Sequence, residues 1–228
     1  MDAERLKDPD YSSIDLMYHT SRARVISDYG ASNFLVSGSG IEICGLTIVQ
    51  RLAYKDMQGD MHKGLHAMCA VDVASGSATF RECHISSDAG IGIKVHSGAS
   101  PTFVKCHVSY CKYEGVWIGD GSTGRVEESR LFSNYGANLH IESNAHPVVH
   151  RCKIFQSHSC GVRVTDKGKG LLTQNEIYEC QSANVRVDDQ AQPIPRHSLS
   201  PRSRLRREFV LVNARVTGHA DAEANCPR

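Results

Sequence analysis

Residues 101–119 read PTFVKCHVSYCKYEGVWIG, residues 124–142 GRVEESRLFSNYGANLHIE, residues 147–165 PVVHRCKIFQSHSCGVRVT and residues 170–188 GLLTQNEIYECQSANVRVD. Laid over one another at a spacing of 23 residues, these stretches share columns of one residue type. Cys83, Cys106, Ser129, Cys152 and Asn175 form the first column, and two places on stand Ile85, Val108, Leu131, Ile154 and Ile177. Phe80, Phe103, Val126, Val149 and Leu172 make a third, Ile93, Val116, Leu139, Val162 and Val185 a fourth, and Val95, Ile118, Ile141, Val164 and Val187 a fifth. Apolar and polar residues alternate within each stretch, which is the signature of a strand buried on one side. Each unit therefore predicts one segment of the form apolar-x-x-Cys-x-Ile and one of the form Val-x-Val.

The residues between these segments predict corners. Gly92, Gly115, Asn138, Gly161 and Asn184 share a column of types that tolerate positive φ, so a left-handed position is expected there. Pro101, Gly124, Pro147, Gly170 and Pro193 share another, expected in a turn because proline donates no ladder hydrogen bond.

A short all-strand period of this length predicts an all-β fold: a single-stranded parallel β-helix, a solenoid of about six coils of 23 residues. Each strand then pairs with its equivalent one coil along, about 4.8 Å away. A leucine-rich repeat has an overlapping period, but its L-x-x-L-x-L-x-x-N pattern and helical return are missing. One coil buries about five apolar side chains at roughly 1.5 to 3 kcal/mol each, against roughly 1 to 2 kcal/mol of backbone entropy per residue. A lone coil cannot fold, so the coils stabilise one another.

Working outward, residues 39–194 are read as the β-helix. The strands of an earlier coil, ICGLTI at 43–48 and AVDVA at 70–74, are separated by an insertion at about 50–68. Residues 1–38 are read as an N-terminal cap or degenerate coil, with strands at 24–26 and 34–36. Residues 195–228 are read as an arginine-rich, mostly disordered tail, because Pro195 and Ser200 break the apolar columns; FVLVNARV at 209–216 reads as one strand folding back over the open end.

Composition bounds the function. With 26 Lys+Arg against 25 Asp+Glu, the chain is nearly neutral, which disfavours a dedicated nucleic-acid or membrane-surface role. The cluster Arg196, Arg202, Arg204, Arg206 and Arg207 is read as solvated. No apolar run is long enough to cross a bilayer, and the first ten residues lack an apolar signal core, so an intracellular, cytoplasmic or nuclear location is expected. The nine cysteines are odd in number and read as reduced, buried thiols.

No metal and no cofactor is expected. The stacked cysteines share their column with Ser129 and Asn175, as an inward column of small residues would. Glycosidic hydrolysis needs two carboxylates across a cleft; Asp120, Asp166 and Asp189 stand in a corner column, and no Asn-Thr-Asp, Gly-His-Gly or Arg-x-Lys motif accompanies them. Catalysis is therefore not expected. The outward position of the Val-x-Val strand reads Lys94, Trp117, His140, Arg163 and Arg186, whereas the column Glu82, Lys105, Glu128, Arg151 and Gln174 alternates in sign. Like charges one coil apart repel, so the first column is the candidate partner-binding stripe. Arginine and tryptophan on a flat sheet face suit an acidic or phosphorylated protein segment.

The runs SPTFVKCHVSYCKYEGVWI, RVEESRLFSNYGANLHI, HPVVHRCKIFQSHSCGVRV and GKGLLTQNEIYECQSANVRV resemble the tandem coils of the F-box/β-helix proteins, substrate-recognition subunits of cullin-type ubiquitin ligases. The resemblance spans about residues 39–194 and includes GLTI at 45–48. It implies a right-handed parallel β-helix of the pectin-lyase-like kind and a non-catalytic role in target recognition or scaffolding within ubiquitin-ligase complexes. No leucine- and proline-rich F-box motif precedes the coils, and the zinc-binding module of some members is missing. The alternative, from another class, is a polysaccharide-active or carbohydrate-binding parallel β-helix.

Overall fold

A computed structural model of the chain describes residues 23–27, 32–51 and 68–188, together with the backbone of 209–212 and 215–217. These residues form strands and turns, with no helix among them. The strands build three parallel sheets. Sheet A has eight strands, from Arg24–Ser27 to Arg215–Thr217; sheet B has seven, from Phe34–Val36 to Val185–Val187; sheet C has seven, from Ile41–Cys44 to Phe209–Val212. Each strand's neighbours are its equivalents one coil before and after, as in Val108↔Leu131, Val116↔Leu139 and Val126↔Val149. The predicted columns thus stack on themselves as a parallel β-helix.

A coil has three strands because the apolar-x-x-Cys-x-Ile segment is divided. Ala78–Arg81 belongs to sheet C and His84–Ser87 to sheet A. The bend falls at Glu82, and its equivalents Lys105, Glu128, Arg151 and Gln174 share its left-handed backbone, with φ between 49° and 54°. Stacking satisfies these corners: Glu82 N donates to Val104 O at 2.9 Å and Lys105 N to Glu127 O at 3.0 Å. The sign-alternating column is therefore a corner, and its charges stand outside it because the turn points them away from the core.

The expected left-handed column is corrected. Gly92, Gly115 and Gly161 are small for lack of space, not for φ: a Cβ at Gly92 would lie 2.6 Å from Gly115 O, and one at Gly161 2.6 Å from Asn184 O. The asparagines there are hydrogen-bonding groups. Asn138 is buried, donates from Nδ2 to Phe155 O at 2.8 Å, and accepts from Asn134 Nδ2 at 2.8 Å.

The main core is the set of inward columns, among them Ile85, Val108, Leu131, Ile154 and Ile177 from sheet A and Phe80, Phe103, Val126, Val149 and Leu172 from sheet C. The cysteine column explains its own composition. Cys106 Sγ donates to Phe80 O at 3.4 Å and Cys152 Sγ to Val126 O at 3.3 Å, while Asn175 Nδ2 donates to Val149 O at 3.0 Å. Cysteine and asparagine here are small donors capping a carbonyl of the coil before. Burial pushes the Cys152 thiol up to about 12, so it stays protonated and unreactive.

The C-terminal strands correct the reading of 209–216 as one returning strand. Two short strands run parallel to the last full coil, placing Leu211 opposite Leu172 and Val216 opposite Ile177. The apolar columns resume after an interruption, as they do between Ile48 and Ile85 across the earlier insertion. The basic cluster at 196–207, Pro195 and Ser200 lie outside the described residues.

Candidate functional site on the outer face of sheet B

Sheet B alternates, so the residue between the two inward apolar residues of each strand faces outward. In register along the sheet these are Leu35, Asp72, Lys94, Trp117, His140, Arg163 and Arg186. All five residues of the predicted stripe are thus neighbours on one face, with Lys94 and Arg186 four coils or roughly 19 Å apart.

Trp117 lies along its own strand and not out from it. A Cβ on Gly119 would sit 2.4 Å from Trp117 Cη2, so the indole rests on the glycine two positions on, and Lys94 Nζ is 5.6 Å from the ring centroid. Gly119→Ala is expected to lift the indole off the sheet. Trp117 is the sole tryptophan, so a red-shifted emission with thermal stability nearly unchanged reports the displacement; unchanged emission would refute this packing.

The stripe is not the bare row of positive charge that the sequence suggests. Carboxylates from flanking positions interleave with it. His140 is buried, with Nε2 3.0 Å from Thr165 Oγ1 and 3.2 Å from Glu142 Oε2, and Nδ1 3.8 Å from Glu114 Oε1. Thr165 Oγ1 donates to Glu142 Oε2 at 3.3 Å, so it accepts from His140 Nε2–H, and Nδ1 is left without a hydrogen-bond partner. Burial lowers the His140 pKa below that of a free histidine; Glu114 opposes this and Arg163 assists it. His140 therefore stands neutral and contributes no positive charge near neutral pH.

Arg163 and Arg186 converge on one carboxylate: Arg163 Nη2 is 3.4 Å from Asp188 Oδ2 and Arg186 Nε 2.8 Å from Asp188 Oδ1. Burial alone would raise the Asp188 pKa, but the hydrogen bond and charge of Arg186, with those of Arg163, hold it below the usual range. Each guanidinium spends one N–H on Asp188 and keeps further donors for an anion. Asp72 is engaged in the other direction, by His96 Nε2 at 2.7 Å.

Sequence reasoning found the stripe but did not set against it the carboxylates Glu114, three positions before Trp117, Glu142, two after His140, and Asp188, two after Arg186. Their signal was present as acidic residues flanking the Val-x-Val segments. Corner residues Asp120 and Asp166 remain separate from this site: both are left-handed turn residues, and Asp166 accepts from Ser143 Oγ at 3.3 Å. Among the described residues, no group of three or more His, Cys, Asp and Glu side chains is arranged to hold a metal ion, and no helix is long and apolar enough to cross a membrane.

A family model described as "Right handed beta helix region" matches residues 66–199. No curated protein matches the chain. Among solved structures, the chain is similar to pectate lyase Pel9A, with a TM-score of 0.52 and 11% sequence identity, over 86% of this chain and 51% of that one. The chain thus spans about half the length of that structure, and the likeness is one of fold. These findings carry the β-helix half of the resemblance seen in the sequence and add nothing to its F-box and ubiquitin half. The expectation that the chain is without catalysis is corrected here: a solved structure of similar fold is a pectate lyase, so the fold gives no ground for excluding an enzyme.

Proposed function

The chain belongs to the right-handed β-helix family, and from that premise we propose that it acts on an acidic polysaccharide lying along the outer face of sheet B. The observation that carries this reading is Trp117 laid flat over Gly119 beside Lys94, followed in register by His140 and by two arginines sharing one carboxylate. An indole presented with a cation suits a sugar ring bearing a carboxylate. Arg163 and Arg186 supply the planar donors that recognise a second carboxylate along the same polymer. Glu142, which accepts from Thr165 Oγ1, is the group placed to accept a proton, and burial keeps His140 neutral, its Nε2–H donated to Thr165 Oγ1 so that the hydroxyl hydrogen is directed at that carboxylate. The neighbour named as a pectate lyase supports the substrate class through fold alone.

The test is incubation of the full chain with polygalacturonate, following new chain ends and unsaturated product, beside affinity electrophoresis in the same polymer. Retention and cleavage are expected. Trp117→Ala and Arg163→Glu should each weaken retention by about thirtyfold, the effect of losing about 2 kcal/mol at a central contact. Only a small loss of thermal stability is expected for Arg163→Glu, since the pair with Asp188 is half-exposed. Absence of both retention and cleavage, or full retention by the double variant, retires the reading.

A further inference from the structure

One corner of sheet B carries a second constellation, beside the Lys94 end of the stripe. His96 Nε2 is 2.7 Å from Asp72 Oδ1, and His96 Nδ1 is 3.1 Å from Ser97 Oγ. A carboxylate only accepts, so Nε2 carries the proton and, in the neutral ring, Nδ1 presents its lone pair to the Ser97 hydroxyl. The order is nucleophile, base, orienting carboxylate, the arrangement by which a serine is activated for acyl transfer.

Three further features favour chemistry at this corner over a simple turn. Ser97 is held left-handed, at φ 55°, a conformation costly to a residue with a side chain, and its hydrogen bond with His96 is exposed. Its equivalents Asp120, Ser143 and Asp166 share that backbone, but the residues before them are Gly119, Glu142 and Thr165, so of these four corners this one alone sets an imidazole beside a hydroxyl. The corner is also open, since a Cβ on Gly98 would meet nothing within 4 Å. The hydrogen bonds closing the corner run from His96 N to Val73 O, Gly98 N to Asp120 O and Ala99 N to His96 O. Lys94, the register partner of Asp72, adds a positive side chain on the same face.

We propose that Ser97, His96 and Asp72 form an acyl-ester hydrolase site, with a small acyl group on a hydroxylated carrier as substrate. Ser97 Oγ attacks the ester carbonyl carbon as its proton passes to His96 Nδ1. The alcohol leaves with that proton, giving an acyl-serine. Water then attacks the acyl-serine, again losing a proton through Nδ1, and releases the carboxylic acid and free Ser97. Asp72 stabilises the transient imidazolium. This site does not depend on the polysaccharide reading.

The experiment treats the full chain with a fluorophosphonate probe and with p-nitrophenyl acetate. The probe is expected on Ser97 by peptide mass, and ester turnover is expected to fall at least about a hundredfold in Ser97→Ala and His96→Gln, with a smaller loss in Asp72→Asn. Melting curves establish that each variant is folded, and labelling of the unsubstituted chain decides the matter should one not be. Failure of the probe to mark Ser97, or undiminished turnover by folded Ser97→Ala, overturns the proposal and identifies His96 as a structural partner of Asp72.

Discussion

Truncating Phe155 to Ala is expected to destabilise the β-helix by about 3 to 5 kcal/mol, the usual cost of emptying a buried aromatic site. Phe155 lies between its register partners Phe132 and Tyr178, with ring centroids 4.9 and 5.1 Å away and interplanar angles of 3° in both cases. The separation matches the coil spacing, so the three rings stack without strain on a backbone that already sets their distance. Arg130 caps the arrangement, its Cζ 5.4 Å from the centroids of both Phe132 and Phe155. These rings face away from the main core and form a cluster of their own, packed by Tyr110 and Tyr178. Removal of the central ring takes a stacking partner from each of the outer two, while the solenoid interior is untouched. Thermal unfolding should fall by about 10 °C on the scale expected for a chain of this size. A shift of only a degree or two would mean that the cluster does not hold its coils together.

Asn138→Ala should cost about 3 kcal/mol, although it removes fewer contacts than a core leucine. The side chain is fully buried, and its loss leaves Phe155 O with only the longer bond from Ser133 N at 3.3 Å and Asn134 Nδ2 with only Val108 O at 3.3 Å. Each polar group stranded away from water costs about 1 to 3 kcal/mol. Asn134 in turn accepts from Cys111 N at 3.0 Å and donates to Val108 O at 3.3 Å, so the two asparagines span three coils. Urea denaturation of both single variants and the double variant should show losses short of additive, because the bond between the two side chains is lost in either single variant and can be lost only once. Full additivity would show two independent sites.

How far the sequence carried the reading differs from column to column. Ile85, Val108, Leu131, Ile154 and Ile177 were legible because apolar burial leaves a residue type that repeats at the coil period. Gly92 and Gly115 were legible as a column but misread in cause: left-handed turns and close approach of backbone both select glycine. Conversely, Glu82, Lys105, Glu128, Arg151 and Gln174 bear side chains at a left-handed corner where glycine would have been the signal. The stacked corner compensates through hydrogen bonds to the next coil, which no local propensity records. The aromatic column of Phe132, Phe155 and Tyr178 begins at Ser109, so it lacks the uniformity that marked the inward columns.

The candidate sites divide in the same way. Lys94, Trp117, His140, Arg163 and Arg186 came into line from counting alone, since a parallel stack converts sequence period into spatial neighbourhood. Their charge state did not. Glu142 and Asp188 come from positions beyond the strand, and only the turn of the chain out of sheet B brings them to His140 and the arginines. The meeting of Asp72 with His96 likewise depends on a corner that folds one coil's end over the strand of the coil before.

Period and apolar alternation are properties of the chain, and they suffice for a stacked parallel fold because equivalent residues have nowhere to go but over one another. Side-chain direction at corners, the protonation of a buried imidazole and the choice of a hydrogen-bond partner depend on distances of a few ångströms between coils. Those distances exist only once the coils are packed.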